Sequence, residues 1–152
     1  MSVKRRVVVT GLGIVSPLGN DLETTWSNIL QGTSGAARIT KFDASDFATT
    51  FAAELKDYDD ISGLTPKEKR RIDPFVQYAI TASDQAIIDA GINSEEFDST
   101  RIGVSIGSGI GGLGSIEDNA LILNERGPKR ISPFFVPGAI INMASGNVAI
   151  KN

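Results

Sequence analysis

Residues 102–114 read Ile-Gly-Val-Ser-Ile-Gly-Ser-Gly-Ile-Gly-Gly-Leu-Gly, and this stretch decides the fold class. Its first five residues form an apolar run that a glycine stops, which is typical of a strand buried on both faces. Five of the next eight residues are glycines, which indicates positive φ angles or a very close backbone approach. A helix is predicted after them, from residue 115 to about residue 124. A strand, a tight turn and a helix in this order favour an α/β layered domain.

A second buried strand is predicted at residues 7–10, where Val-Val-Val-Thr precedes Gly11. Because helices separate the two strands along the chain, we expect the strands to be parallel. Capping residues, proline positions and closing glycines predict the other elements. Four helices are predicted: one at residues 22–31, one that begins at Pro66, one from Asp73-Pro74 to Gly91, and one at residues 138–150. A loop is predicted at residues 131–137, and a loop-rich excursion at about residues 33–64.

The composition restricts the chemistry more than the fold. The 152 residues suit one domain, with 41% hydrophobic and 22% charged residues and a net charge of −3. The sequence has no Cys and no His, so no residue in it can supply a thiolate nucleophile, a disulfide or an imidazole base. It offers no global basic field for nucleic acid. It also has no apolar run of the roughly 20 residues that a membrane span needs, so we expect no membrane insertion.

Gly11-Leu-Gly13 after a strand suggests a dinucleotide-binding turn. Ser16 stands where that motif has its third glycine, and Pro17 follows where the helix should begin. No strand ending in an acidic residue follows about 20 residues later. A structural turn is therefore the favoured interpretation.

Three further motifs leave alternatives open. The glycines of residues 107–114 fit either a tight crossing beneath a ligand pocket or a purely structural turn. The basic run of residues 67–71 and the pair Lys129-Arg130 fit a solvated helix face or the docking site of an acidic partner. In the loop of residues 133–137, Phe134 and Phe135 point apart if the chain is extended, so one could enter the core while the other meets a partner, or both could pack in the core.

Taken together and in order along the chain, these motifs resemble the elongating condensing enzymes of fatty-acid synthesis, which have the thiolase-like fold. The matching stretches are residues 5–20, 67–73, 101–113 and 131–137. The Gly-Ser-Gly-Ile-Gly-Gly and Ser-Pro-Phe-Phe-Val-Pro forms are similar to β-ketoacyl-acyl-carrier-protein synthase II rather than synthase I.

The resemblance implies that residues 1–152 form a partial amino-terminal domain, an incomplete half of a thiolase-like layered α-β-α fold. In that family a Cys carries the acyl group and two His assist decarboxylation of malonyl-carrier and condensation. The Cys would fall about a dozen residues beyond Asn152, so we expect the chain to be an amino-terminal piece with no catalytic residue, no metal and no cofactor, and to be inactive alone. The implied partners are an acyl carrier protein and a second copy in a homodimer, in the cytoplasm.

The resemblance also assigns site residues by position. Ile110, with Gly109 beside it, corresponds to the acyl-chain pocket, and Phe135 to an aromatic residue that reaches the neighbouring subunit's pocket. The carrier-docking positions are Lys67, Arg70, Arg71, Lys129 and Arg130. A non-catalytic carrier-binding or chain-length partner subunit is the alternative. Because buried strands need neighbours, we expect this chain by itself to expose apolar surface and an open sheet edge.

Overall fold

The structure, a computed structural model, describes residues 5–58, 63–92 and 96–152. Within these ranges it contains six α-helices, two short strands, and 3-10 turns at Ser99–Arg101 and Pro128–Arg130. In chain order the elements are α1 (Leu22–Leu30), β1 (Ala37–Arg38), β2 (Phe51–Ala52), α2 (Pro66–Lys69), α3 (Pro74–Asp89), α4 (Leu113–Arg126), α5 (Phe135–Ala139) and α6 (Met143–Lys151). Both strands lie inside the predicted excursion at residues 33–64, of which residues 59–62 are outside the described ranges.

The helix ends follow from local capping chemistry. Asp21 caps α1 by accepting a hydrogen bond from the Thr24 amide, and Asp73 caps α3 by accepting one from the Phe75 amide. Past the other end of α3, Gly91 has a φ of 64°, a left-handed conformation that glycine adopts without steric cost. These observations confirm the first two long helices that the sequence predicts.

The two predicted strands do not pair with each other. Within the described ranges the only ladder is antiparallel, between β1 and β2, with Ala37 opposite Ala52. The prediction of a parallel pair at residues 7–10 and 102–106 is therefore wrong for this chain. A strand is defined by hydrogen bonds to a neighbouring strand, and no described segment supplies them to either stretch.

Burial also differs from the prediction for these two stretches. Val7 is 95% exposed and Val9 is 78% exposed, so residues 7–10 lie on the surface. In the second stretch, Val104 and Ile106 pack against the core while Ile102 is 47% exposed. Gly103 and Ser105, which alternate with these side chains, are exposed, so the core covers this segment only on the side of Val104 and Ile106.

The carboxyl-terminal helices begin and end at different residues from those predicted. The predicted loop at residues 131–137 contains the start of α5, and the predicted helix at residues 138–150 is divided between α5 and α6. Pro137 does not prevent α5 because it lies in the first turn, where the missing amide hydrogen has no partner in the helix. Ile140, in an extended conformation, ends α5. Helix α4 begins two residues earlier and ends two residues later than predicted.

The core lies where α3 packs on α6. Val76, Ile80 and Val148 form its buried centre. Val104 and Ile106 cover one side of it. This small core fixes the start of α3, and therefore the position of the basic segment just before that helix.

The chain exposes more surface than its mass predicts. Its accessible area is 11414 Å² for 16.1 kDa. A compact monomer of that mass exposes about 7400 Å². The excess of about 4000 Å² includes large apolar side chains such as Val7 (95%), Ile88 (79%) and Ile150 (84%). This observation confirms the expectation of exposed apolar surface.

Candidate functional site

The five predicted docking residues lie on two short segments. Lys67 is in α2, Arg70 follows the end of that helix, and Arg71 comes next. The other two, Lys129 and Arg130, belong to the 3-10 turn that follows α4. All five side chains are exposed.

A cavity of ≈ 400 Å³ lies between these two segments. Arg70 and Arg71 line it from one side and Arg130 from the other, and Phe135 also lines it. The structure therefore brings together four predicted site residues that lie up to 65 positions apart in the sequence. Lys67 and Lys129 do not line this cavity.

Asp73 holds the two sides of this cavity together. Its side chain is almost completely buried, with 8% relative exposure. Its Oδ2 atom accepts hydrogen bonds from the Ser115 amide at 3.2 Å and from the Ser115 hydroxyl at 2.7 Å. Its own amide donates to the Gly138 carbonyl at 3.1 Å. One residue thus ties the start of α3 to α4 and to α5.

The two aromatic residues of the loop have different surroundings. The Arg71 guanidinium lies over the Phe134 ring, with 4.6 Å between its central carbon and the ring centroid. Phe134 is 41% exposed, and Phe135 is half-buried. Of the two alternatives left open by the sequence, core packing of both rings is wrong for this chain.

The glycines at residues 107–114 form a tight crossing against α5. Gly111 has a φ of 88°, and a Cβ on it would lie 2.5 Å from the Ala139 carbonyl oxygen. The next residue, Gly112, donates its amide hydrogen to that carbonyl at 2.8 Å. Only glycine fits here, because any side chain would separate the turn from α5.

The predicted acyl-pocket residues lie on this turn but apart from the cavity. Ile110 is 65% exposed, and a Cβ on Gly109 would meet nothing within 4 Å. Neither residue lines the cavity between the basic segments. The structure therefore groups Phe135 with the docking residues and leaves Gly109 and Ile110 at the surface of this chain.

The amino-terminal glycines have a structural role. A Cβ on Gly13 would lie 2.0 Å from the Ala82 carbonyl oxygen, so the segment can cross α3 only without a side chain. The amide of Leu12 donates to Asp89 at 2.8 Å, and that of Ile14 donates to Gln85 at 3.0 Å. Because these amides are already bonded to α3, they are not free to bind a pyrophosphate, which supports the structural turn over the dinucleotide alternative.

An ionised carboxylate lies within the basic run. Glu68 accepts hydrogen bonds from the Thr65 hydroxyl at 2.6 Å and from the Thr65 amide at 2.7 Å. These bonds, the hydroxyl first, and the nearby Lys151 charge lower the pKa of Glu68 below its ordinary value. Glu68 is therefore charged at neutral pH and partly offsets the positive charge of α2.

Sequence reasoning did not find every residue that organises this site. The Asp-Pro pair predicted the start of α3, but nothing local indicated a bond from Asp73 to Ser115, which lies 42 residues later. Asn119 is similar: its buried side chain accepts a hydrogen bond from the Ser132 amide at 3.3 Å.

In the parts of the chain that the structure describes, no helix has the length and apolarity to cross a membrane. Nor do those parts contain a group of three or more acidic, His or Cys side chains that could hold a metal ion.

Comparison with known proteins gives consistent matches over nearly the whole chain. The sequence model described as "Beta-ketoacyl synthase, N-terminal domain" matches residues 4–152. The 3-oxoacyl-[acyl-carrier-protein] synthase 2 of Coxiella burnetii is 54% identical over 148 residues, which are 97% of this chain and 36% of that relative. The enzyme of the same name from Vibrio harveyi is 49% identical over 97% of this chain and 35% of its own.

The fold comparison agrees with the sequence comparison. The solved structure of the ishigamide ketosynthase/chain length factor is similar with a TM-score of 0.79 and 26% sequence identity. The match covers 97% of this chain and 37% of that one. This chain therefore spans little more than a third of the length of the curated relatives that it matches.

Proposed function

The chain belongs to the β-ketoacyl synthase family, in its amino-terminal domain, and from this premise we propose that it is the carrier-docking part of a 3-oxoacyl-acyl-carrier-protein synthase. Such an enzyme condenses malonyl-carrier with acyl-carrier in fatty-acid elongation. The similarity to solved ketosynthases confirms the predicted thiolase-like α/β fold, of which these residues form the amino-terminal part.

The observation that carries this proposal is the grouping of Arg70, Arg71 and Arg130 around one cavity. The chain is acidic overall, with a net charge of −3, yet these cations converge on one surface. A local positive patch steers an acidic partner and fixes its orientation. The acyl carrier protein that appears in the relatives' names is the partner that we propose for this surface.

The proposed role of these residues is to bind and orient, not to form the acyl-enzyme. A thioester requires a thiolate, and the 152 residues contain no Cys; they also contain no His to act as a base. In the proposed enzyme both would lie in the part of the relatives' length that this chain does not span. A polypeptide of these residues alone is accordingly expected to catalyse no condensation.

The acyl pocket and the dimer belong to the same proposal. Ile110 and Gly109 lie exposed on the glycine turn, where a further part of the protein could close a pocket over them. Phe135 begins α5 beside the docking cavity. We propose that it reaches the acyl pocket of a second copy in a homodimer.

Carrier affinity at two salt concentrations tests the docking surface. Arg70→Glu and Arg130→Glu are each expected to weaken binding of an acyl carrier protein about fivefold at low salt, as loss of a surface charge pair worth about 1 kcal/mol would. Both variants should also flatten the salt dependence of the affinity.

Arg101→Glu is the matched control for this experiment. Arg101 is also exposed, but it lies on the 3-10 turn Ser99–Arg101 and does not line the cavity. The Arg101→Glu substitution makes the same charge change, and it should leave the affinity for the carrier protein within twofold of that of the unaltered chain. Equal losses for Arg101→Glu and Arg70→Glu would remove the site-specific part of the proposal.

A non-catalytic subunit is the second candidate function. The solved structure of the ishigamide ketosynthase/chain length factor, to which this chain is similar, suggests it. The lack of Cys and His in these 152 residues does not separate the two functions, because the chain spans only 36% of its Coxiella relative. A chimera in which these residues replace the matched 148 residues of the Coxiella relative separates the two functions. Condensation by the chimera supports the enzyme, whereas normal carrier binding without condensation supports the partner subunit.

A further inference from the structure

Arg71 differs from Arg70 in its surroundings, although both are exposed cations in the same basic run. The Arg71 guanidinium covers the Phe134 ring at 4.6 Å from the centroid. Arg71 and Phe134 also line a second cavity of ≈ 470 Å³, together with Met143 and Ile150. Arg70 does not line this cavity. Among the described residues, Arg70 stacks on no ring.

The main chain around Arg71 is equally close to the aromatic loop. A Cβ on Gly138 would lie 2.7 Å from the Arg71 carbonyl oxygen, so Arg71 packs directly against α5. Gly138 also donates its amide hydrogen to the Phe134 carbonyl at 2.8 Å and accepts from the Asp73 amide at 3.1 Å. The position of Phe134 is therefore coupled to the first turn of α5, where Phe135 lies.

We infer that Arg71 is a positioning residue: it holds Phe134 by stacking and thereby sets the orientation of Phe135, and with it the acyl-chain selectivity of the assembled enzyme. This inference rests on the proposed function. Lysine would keep the charge at this position, but it lacks the flat guanidinium that stacks on a ring. The stack, and not the charge alone, is what distinguishes Arg71 from its neighbour.

The test uses the chimera with the Coxiella relative and two charge-conserving variants. Arg71→Lys is expected to change the ratio of kcat/KM for a long and a short acyl-carrier by about two- to fivefold, the range of an exposed cation–π contact. Arg101→Lys is the matched control and should leave that ratio unchanged, because Arg101 is exposed, lines neither cavity and stacks on no ring among the described residues. Because Arg71→Lys keeps the positive charge at a docking position, the salt dependence of carrier affinity should stay close to that of the unaltered chimera.

A double-mutant cycle tests whether Arg71 acts through Phe134. Phe134→Leu should change the selectivity ratio as Arg71→Lys does, and the double variant should change it no further than either single variant. Additive effects would overturn the inference. An equal loss of rate for both chain lengths would also overturn it, because a merely structural defect lowers activity without changing selectivity.

A second measurement applies to the 152-residue chain and needs no activity. Hydrogen exchange at the Gly138 amide reports the bond to the Phe134 carbonyl. We expect about two- to fivefold faster exchange in Arg71→Lys and no change in Arg101→Lys. Unchanged exchange in both would overturn the inference, whereas failure of the docking proposal would appear separately, as unchanged carrier affinity in Arg70→Glu and Arg130→Glu.

Discussion

Gly13 is the position at which one methyl group should have the largest effect on this fold. The amino-terminal segment crosses α3 there, and a Cβ on Gly13 would lie 2.0 Å from the Ala82 carbonyl oxygen and 2.7 Å from the Ala86 amide nitrogen. Both contacts are backbone atoms of a helix, so neither can rotate away as a side chain would. Gly13→Ala must therefore push the segment off α3.

The distances give the size of the effect. Ordinary van der Waals contact begins at 3.4 Å, so relieving the 2.0 Å contact requires a movement of about 1.4 Å, the difference between them. That movement breaks the 3.0 Å hydrogen bond from the Ile14 amide to Gln85. Overpacking costs about 1–3 kcal/mol and a lost hydrogen bond about 0.5–1.5 kcal/mol. Alanine also restricts the unfolded chain, which offsets about 0.4–1 kcal/mol, so the net destabilisation is about 0.5–4 kcal/mol.

Urea unfolding followed by far-ultraviolet circular dichroism measures this difference. The matched control is Gly114→Ala, since a Cβ on Gly114 would meet nothing within 4 Å. Gly114 lies within α4, where alanine is expected to stabilise the chain by up to about 1 kcal/mol. Both variants should be compared with the unaltered chain at one protein concentration.

The two substitutions add the same atoms and should change stability in opposite directions. If Gly13→Ala proves as stable as the unaltered chain while Gly114→Ala is stabilising, the close crossing of α3 is not what requires glycine. The glycines at residues 11–13 would then need another explanation, and the dinucleotide alternative would regain support.

Two further outcomes are expected of the isolated chain. Thr65→Ala removes the hydroxyl that caps α2 and should cost about 0.5–2 kcal/mol at neutral pH in urea unfolding. Because the Thr65 hydroxyl lowers the pKa of Glu68, the contribution of Glu68 is present above the ordinary carboxyl range and is lost as the pH falls below that range. The difference between Thr65→Ala and the unaltered chain should therefore shrink in acid, and a constant difference would contradict the assigned cause. Separately, the excess of about 4000 Å² of surface predicts binding of a hydrophobic dye and concentration-dependent association in sedimentation. A monomer that binds no dye would contradict that expectation.

Helices α1, α2 and α3 could be predicted from the sequence because their signals are local. Asp21, Thr65 and Asp73 each cap a helix through a hydrogen bond to an amide two or three residues away. Gly91 lies just beyond the end of α3 with the left-handed φ that its identity suggests. Interactions of this kind depend on a few neighbouring residues, so the sequence contains all the information that they need.

The strand predictions were wrong for this chain because a strand is not a local structure. Residues 7–10 and 102–106 have the composition of buried strands, but hydrogen-bonded neighbours decide whether a strand forms. In the described part of the chain, α3 and α6 cover one face of residues 102–106, and nothing covers Val7 or Val9. The same composition is therefore compatible with an exposed segment.

The candidate site was likewise predictable in part from the sequence and in part only from the tertiary structure. The sequence by itself determined which residues carry the positive charge and where the glycines lie, because side-chain chemistry belongs to each residue. Only the tertiary structure decided that Arg71 and Arg130 face one cavity, that Asp73 joins α3 to α4, and that Phe134 lies under Arg71. These contacts join residues between 42 and 63 positions apart, and such distances close only when α3 and α6 pack and bring the basic segment against the aromatic loop.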